Sequence, residues 1–393
     1  MLSSLQRKLI ELNAVTNCSA HTNAMIPLHV PQLSLNEILY SPEEDYINLL
    51  EERLCRNHKK TEAVFTGDGR NALFLALKTL NLARTDEILI PAYICESVNE
   101  VIKLFCKPIY VDIDKRTFNI SPSEIEKSIT KNTRAILVAH IYGNPCDMSK
   151  LKDIAEDKNL TIIEDVAQSL NGTFSHKPLG SFGDFAILSF RFTKDITSFR
   201  GGALLSNKKI SYSYKSDPAF KTLLILGTTL AALSLIRYMP AGIYAPTKNS
   251  VLFPFFKANA SKFRWEDKTL SNYQCFILYK QLMILNDLIN VRRKNAEYYT
   301  EKLKDIVLLP KEQEGGQHTY FRYTIQTPNR EQTYNYLMKN SIEADKMYDY
   351  CLAPLPNSLM ASTYNLNIPV HHRLTREHLN RIVEVILEAE GMG

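Results

Sequence analysis

No two cysteines in this sequence stand at C-x-x-C spacing, and their total of seven is odd. That disfavours a disulfide framework or a zinc knuckle and suits a reducing compartment. A surplus of either charge is missing as well. Lys and Arg number 47 against 42 Asp and Glu, a formal net charge of +5, and the basic residues are scattered instead of forming the stripe that nucleic acid requires. Nor does the sequence read as membrane-spanning. The charge-free run at 223–236, between Lys221 and Arg237, is too short to cross a bilayer as one helix. It reads as a core or lid helix, with peripheral membrane contact as the alternative. Arg7, Lys8 and Glu11 interrupt the first apolar stretch, unlike a secretory signal, so the cytoplasm is the expected location. Gly67-x-Gly69 lacks the third glycine of a dinucleotide fingerprint. The adjacent His371 and His372 point to opposite faces of an extended chain, and no metal site is expected.

What is present is an ordinary soluble composition, 45% hydrophobic and 23% charged, on a chain of 393 residues, enough for one large domain and a smaller companion. Short apolar runs at 63–65, 87–90, 108–111, 135–139, 161–163, 185–190 and 203–205 read as strands. Helical patterns lie at 42–58, 71–80, 96–105, 121–129 and 148–158. Nearly continuous apolar strands alternating with helices predict an α/β fold with a mostly parallel sheet covered by helices. A long helical pattern at 270–303 leads to a strand at 318–326 and helices at 331–339 and 376–388. His318, Tyr320 and Arg322 would share one face of that strand. The expected organisation is an N-terminal helix and linker (1–25), a large domain (26–265), and a connecting helix with a small C-terminal α/β domain (266–393).

In open α/β sheets ligands bind beyond the carboxyl ends of the strands, and here those ends collect polar groups. One strand delivers Glu164-Asp165 and then Gln168, while another ends in Ser189 with Lys194 five residues on. The turn Gly67-Asp68-Gly69-Arg70-Asn71 precedes a helix whose N-terminus can take a phosphate. A lysine, a carboxylate, a hydroxyl and a phosphate turn are the four parts that pyridoxal phosphate (PLP) needs. His140, at another strand end, reads as a structural or substrate-side hydrogen-bonding residue.

These motifs resemble the DegT/StrS-type, PLP-dependent sugar aminotransferases, which have the type I PLP-transferase fold. The family's E-D-x-A-Q is here Glu164-Asp165-Val166-Ala167-Gln168, and its S-F-x-x-x-K is Ser189-Phe190-Arg191-Phe192-Thr193-Lys194. The likeness extends from about residue 26 to the C-terminus. It implies that Lys194 is the Schiff-base lysine and that Asp165 partners the pyridine nitrogen, with Gln168 on the O3′ side of the ring. Ser189 and the backbone of Gly69, Arg70 and Asn71 would bind the phosphate. The aromatic that covers the ring aligns with Cys95, so Tyr93 is taken as its substitute.

The resemblance further implies transfer of an amino group, with glutamate as expected donor, to a keto-sugar, nucleotide-linked, in surface-glycan or related biosynthesis. It also implies a homodimer. Three departures stand out. Arg70 replaces a threonine, Arg200 replaces an acid before Gly201-Gly202, and Asp267-Lys268-Thr269 stands where an N-x-R motif from the partner subunit is usual. A lipid-linked or non-sugar ketone, or a non-catalytic protein keeping the fold, is the alternative reading.

Overall fold

The computed structural model describes residues 25–30, 42–210 and 268–391, together with 212, 215, 216, 263 and 265. The expected N-terminal helix and the apolar run at 223–236 lie outside the described residues. Among those described, no helix is long and apolar enough to cross a membrane.

The first helix, α1 (Tyr46–His58), is started by Asp45, whose carboxylate accepts from the backbone N–H groups of Ile47 and Asn48. β1 (Glu62–Thr66) follows, then α2 (Gly69–Thr79), β2 (Glu87–Pro91), α3 (Glu96–Ile102), β3 (Lys107–Val111), α4 (Pro122–Ser128), β4 (Thr133–Ala139), α5 (Met148–Asp157), β5 (Thr161–Asp165), β6 (Phe185–Ser189) and β7 (Gly202–Ser206). All seven expected strands are present, and they form one sheet in the order β1-β7-β6-β5-β4-β2-β3. β3, β2, β4, β5 and β6 run parallel, and β7 is antiparallel to both β6 and β1. Apolar side chains cover both faces, as a parallel sheet requires.

This order places four chain segments at one edge. Asp165 and Ser189 end the neighbouring parallel strands β5 and β6, and Gly202 begins β7 opposite both Ser189 and Thr66. Beyond Thr66 the chain turns into α2. A Cβ on Gly202 would lie 2.6 Å from the Gly69 nitrogen, so only glycine lets β7 approach the turn so closely.

The long helix α6 (Asn272–Leu303) opens with a capping box between Ser271 and Gln274. Its first half, from Tyr273 to Ile289, packs into the core of the large sheet. Its last turns, with Ala296, Tyr299 and Leu303, belong to a separate core. That second core is built on β8 (Tyr323–Gln326), α7 (Arg330–Lys339), β9 (Asn365–Ile368) and α9 (Arg376–Glu390), with β8 and β9 antiparallel, while Ala361 of α8 (Pro356–Tyr364) packs into the other core, on the large sheet.

Two expectations change here. The strand expected from residue 318 begins only at Tyr323, because Tyr320 adopts φ +48° and breaks the extended chain. His318 and Tyr320 therefore do not alternate along a strand. Their rings stack at 3.9 Å, and the Tyr320 N–H donates to His318 Nδ1 at 2.8 Å. The segment at 26–28 was assigned to the large domain, yet it pairs with the smaller unit. The Ile26 N–H donates to Ser341 O at 2.7 Å and the Glu343 N–H to Ile26 O at 2.9 Å. An extended segment here satisfies backbone groups that would otherwise be left exposed beyond α7.

Candidate active site

Asp165, Ser189 and Lys194 are each half-buried at the carboxyl edge of the sheet. The Lys194 ammonium makes no hydrogen bond or ion pair among the described residues, and neither does the Ser189 hydroxyl. The Lys194 Nζ stands 5.4 Å from the centre of the Phe321 ring, which the smaller unit contributes. Asp165 accepts the Ala167 N–H at 3.0 Å through Oδ1, and its Oδ2 makes no hydrogen bond among the described residues. The Lys194 ammonium, the Ser189 hydroxyl and one oxygen of Asp165 thus stand without a hydrogen bond among the described residues, at or just beyond the ends of two adjacent strands.

Their electrostatics explain why they need a guest. Burial pushes the Asp165 carboxyl above its ordinary value, against the pull of Lys194, the Ala167 N–H and His140. Burial likewise lowers the Lys194 ammonium, against the attraction of Asp165 and Cys95, with Arg191 and Arg322 adding to the fall. Desolvation outweighs the mutual attraction in both, so each group resists carrying its charge alone. A lysine that is readily neutral is a competent nucleophile. An acid short of a cation suits a protonated ring nitrogen. The donor set fits PLP, with Lys194 for its aldehyde carbon, Asp165 for its ring nitrogen and Ser189 for its phosphate.

The loop carrying Lys194 is held by α6. Asp195 is ion-paired to the buried Arg292. The Thr197 N–H donates to Gln281 Oε1 at 2.9 Å, Gln281 Nε2 returns a bond to Thr197 O at 2.8 Å, and Gln274 Nε2 donates to Ser198 O at 3.3 Å.

The phosphate turn is partly as expected. Asp68 caps α2, and Gly69 packs so that a Cβ there would lie 3.1 Å from Ser189 Cβ. The Asn71 backbone N–H is already taken by Asp68 Oδ1 at 3.0 Å, so it is not available to a phosphate in this arrangement. The Arg70 guanidinium folds onto the same carboxylate at 2.8 and 3.1 Å.

Gln168 is buried, accepting the Tyr142 N–H at 2.9 Å and donating to the Tyr348 hydroxyl at 2.8 Å. Its second amide hydrogen makes no hydrogen bond among the described residues. Tyr93 has to be corrected. It is completely buried, with its hydroxyl bonded to the Tyr142 hydroxyl at 2.5 Å and to Met347 O at 3.2 Å. A ring enclosed in that network has no face to offer a cofactor. Cys95 instead remains half-buried as an electrostatic neighbour of both Lys194 and Arg191.

Two residues at the site had no assigned part in the sequence reading. Glu164 is fully buried and accepts the backbone N–H groups of Gly180, Phe182 and Gly183 at 2.6–2.7 Å. His140 Nδ1 accepts the Cys146 N–H, which leaves the proton on Nε2, 3.4 Å from Glu164 Oε2. His140 is structural here. The signal for Glu164 was an acid inside an otherwise apolar strand, which must find partners. Arg191, between Ser189 and Lys194, lies near Arg70 and Arg200, a convergence that no local pattern announces.

The profile of the DegT/DnrJ/EryC1/StrS aminotransferase family matches residues 34–214 and 266–387. A GDP-perosamine synthase of Escherichia coli O157:H7 is 28% identical over 92% of this chain and 98% of its own. A dTDP-3-amino-3,6-dideoxy-alpha-D-galactopyranose transaminase of Aneurinibacillus thermoaerophilus is 26% identical, over 81% of this chain and 83% of its own. Among solved structures, an aminotransferase of the same family from Brucella abortus superposes with TM-score 0.70 at 22% identity, covering 99% of this chain and 98% of that one. A PLP-form structure from Streptococcus pneumoniae gives 0.74 at 20% identity, covering 94% and 99%. The fold, the strand-end groups and a profile match spanning most of the sequence agree: this chain belongs to the DegT/DnrJ/EryC1/StrS aminotransferase family and is a PLP-dependent aminotransferase.

Proposed function

We propose that the protein transfers an amino group, with glutamate as donor, to a keto-sugar carried on a nucleotide, in surface-glycan biosynthesis. The carrying observation is the uncommitted Lys194, Asp165 and Ser189 set on adjacent strand ends. The sugar acceptor is supported by two relatives named for nucleotide-linked amino sugars. We further infer a cytoplasmic homodimer, which rests on the resemblance.

When bound, PLP supplies an electron sink through its protonated ring nitrogen. In this reading Lys194 holds the cofactor until the donor amine takes its place. It then removes the proton from the donor's α-carbon as general base and returns a proton as general acid in the reverse direction on the acceptor. Asp165 keeps the ring-nitrogen proton in place, Gln168 flanks the ring, and Ser189 with the Gly69-Arg70 backbone takes the phosphate.

A panel of amino acceptors, scored by conversion of glutamate to 2-oxoglutarate, tests the reading. Nucleotide-linked keto-sugars should support turnover and free ketones should not. Turnover restricted to non-sugar ketones would overturn the assignment of the acceptor. Asp165→Asn should still bind PLP but lose roughly 10²–10³-fold in turnover, because an amide cannot stabilise the ring-nitrogen charge. Single-turnover absorbance measurements on the loaded variant check this, and near-wild-type rates would remove Asp165 from the mechanism.

A further inference from the structure

The chain leading into β8 crosses the carboxyl edge of the large sheet. Just beyond β4, the Thr319 N–H donates to Gly143 O at 2.9 Å and the Arg322 N–H to Tyr142 O at 3.2 Å. The Phe321 ring on this crossing is shared by two cations. Lys194 Nζ lies 5.4 Å from its centre and Arg322 Cζ lies 4.4 Å from the same point. The two are therefore no more than about 10 Å apart, close enough for one small molecule to meet both.

Arg322 is only 5% exposed, yet one edge of its guanidinium is unfilled. Nη1 donates to Phe321 O at 3.0 Å. Nε is buried without a hydrogen bond, and Nη2 makes none among the described residues. Nε–H and Nη2–H point the same way and form the side-on fork that matches the two oxygens of a carboxylate. Asp345 does not fill it. Its Oδ2 stays 3.8 Å from Nε, while its Oδ1 accepts from the Asn367 amide at 2.6 Å and the Met347 N–H at 3.3 Å. Arg292, by contrast, already has a carboxylate in Asp195 and serves the Lys194 loop. A guanidinium that has left water keeps the desolvation cost of each unpaired N–H, and an incoming carboxylate offsets it.

We infer that Arg322 receives the α-carboxylate of the amino donor on its Nε–Nη2 edge and so directs the donor's amine toward the position of Lys194. An α-carboxylate is one carbon from the reacting amine, which suits an arginine this near the lysine. In a sugar nucleotide the sugar ring separates the diphosphate from the ketone. Arg322 thus makes the donor an amino acid instead of a simple amine. The inference rests on the proposed amino-acid donor.

The test uses two amines, 2-aminoisobutyrate and isopropylamine, the second having a hydrogen where the first has its carboxylate. Each is titrated into the PLP-loaded enzyme and followed by the cofactor's absorbance. 2-Aminoisobutyrate has no α-proton, so it is bound without being turned over. Wild type should bind it at least tenfold more tightly than isopropylamine. Arg322→Gln should remove roughly that factor and leave isopropylamine and the melting temperature of the apoprotein unchanged. Should that variant not fold, Arg322→Lys carries the same test, because an ammonium cannot grip two oxygens side-on. Undiminished preference for the carboxylate in the folded variant would overturn the inference. A lower melting temperature with both amines weakened would do so too, since that marks a merely structural arginine. So would weaker binding of GDP or UDP with the amines unaffected, because the fork would then serve the acceptor. A wild type that accepts amino groups from simple amines and from no α-amino acid would instead overturn the donor reading itself.

Discussion

Lys194→Ala is expected to lower transamination by about 10⁴-fold, because in the proposed mechanism it would remove both the covalent anchor and the group that moves the α-proton. Borohydride should fix the cofactor covalently to the wild type and not to the variant. Lys194→Arg should be equally inactive. A guanidinium stays charged, whereas the burial that lowers the Lys194 ammonium makes a neutral amine accessible at lower pH than in a free lysine. The rate at which the wild type attaches PLP should therefore climb with pH through a value below that of an ordinary lysine. Retention of more than about a hundredth of wild-type turnover in Lys194→Ala would sink the assignment, since that exceeds what a lost general base leaves behind.

Glu164→Ala should destabilise the fold by about 3–5 kcal/mol, the range for removing one partner from a buried charged network. Three backbone N–H groups, from Gly180, Phe182 and Gly183, would lose their acceptor in the interior. Glu164→Gln should be damaging as well, because its amide nitrogen would face donors with another donor. Burial would by itself raise the pKa of Glu164. The hydrogen bond from His140 and the N–H groups of Gly183 and Gly180 outweigh it and hold the carboxylate below its ordinary value. A depressed carboxylate gives stability that is complete above the unfolded-state pKa and is lost as pH falls through the folded-state one. The gap between wild type and Glu164→Gln should thus be widest near neutrality and narrow in acid. Urea unfolding of the apoproteins across that range measures it. A Gln variant within about 1 kcal/mol of wild type at neutral pH would contradict the assigned role.

The parallel sheet was readable because its strands are short, apolar and separated by amphipathic helices. Boundaries moved where capping decides them. α2 starts at Gly69 instead of Asn71 because the Asp68 side chain captures the Asn71 N–H. The smaller unit was less legible. α8 and β9 mix polar with apolar residues over few positions, and their burial depends on distant partners, the large-sheet core for Ala361 of α8 and the core shared with α6 and α9 for Leu366 and Ile368 of β9.

At the site, the placement of Lys194, Asp165 and Ser189 at one sheet edge could be read because each sits at or just beyond a strand end in the motif. Tyr93 could not be placed, since its neighbours Tyr142, Met347 and Asn365 are distant in sequence.

The way α6 grips the Lys194 loop bears on when this enzyme becomes an enzyme. The loop's anchors come from 76 to 97 residues downstream, at Gln274, Gln281 and Arg292. A chain still being synthesised can pair β5 with β6 well before those residues exist. Its lysine, though, has no fixed position until most of α6 has left the ribosome. Phe321, beside the Lys194 amine, arrives later still. With Lys194 as the proposed anchor, cofactor capture would be a late event in the life of each chain, following the joining of both cores along one helix.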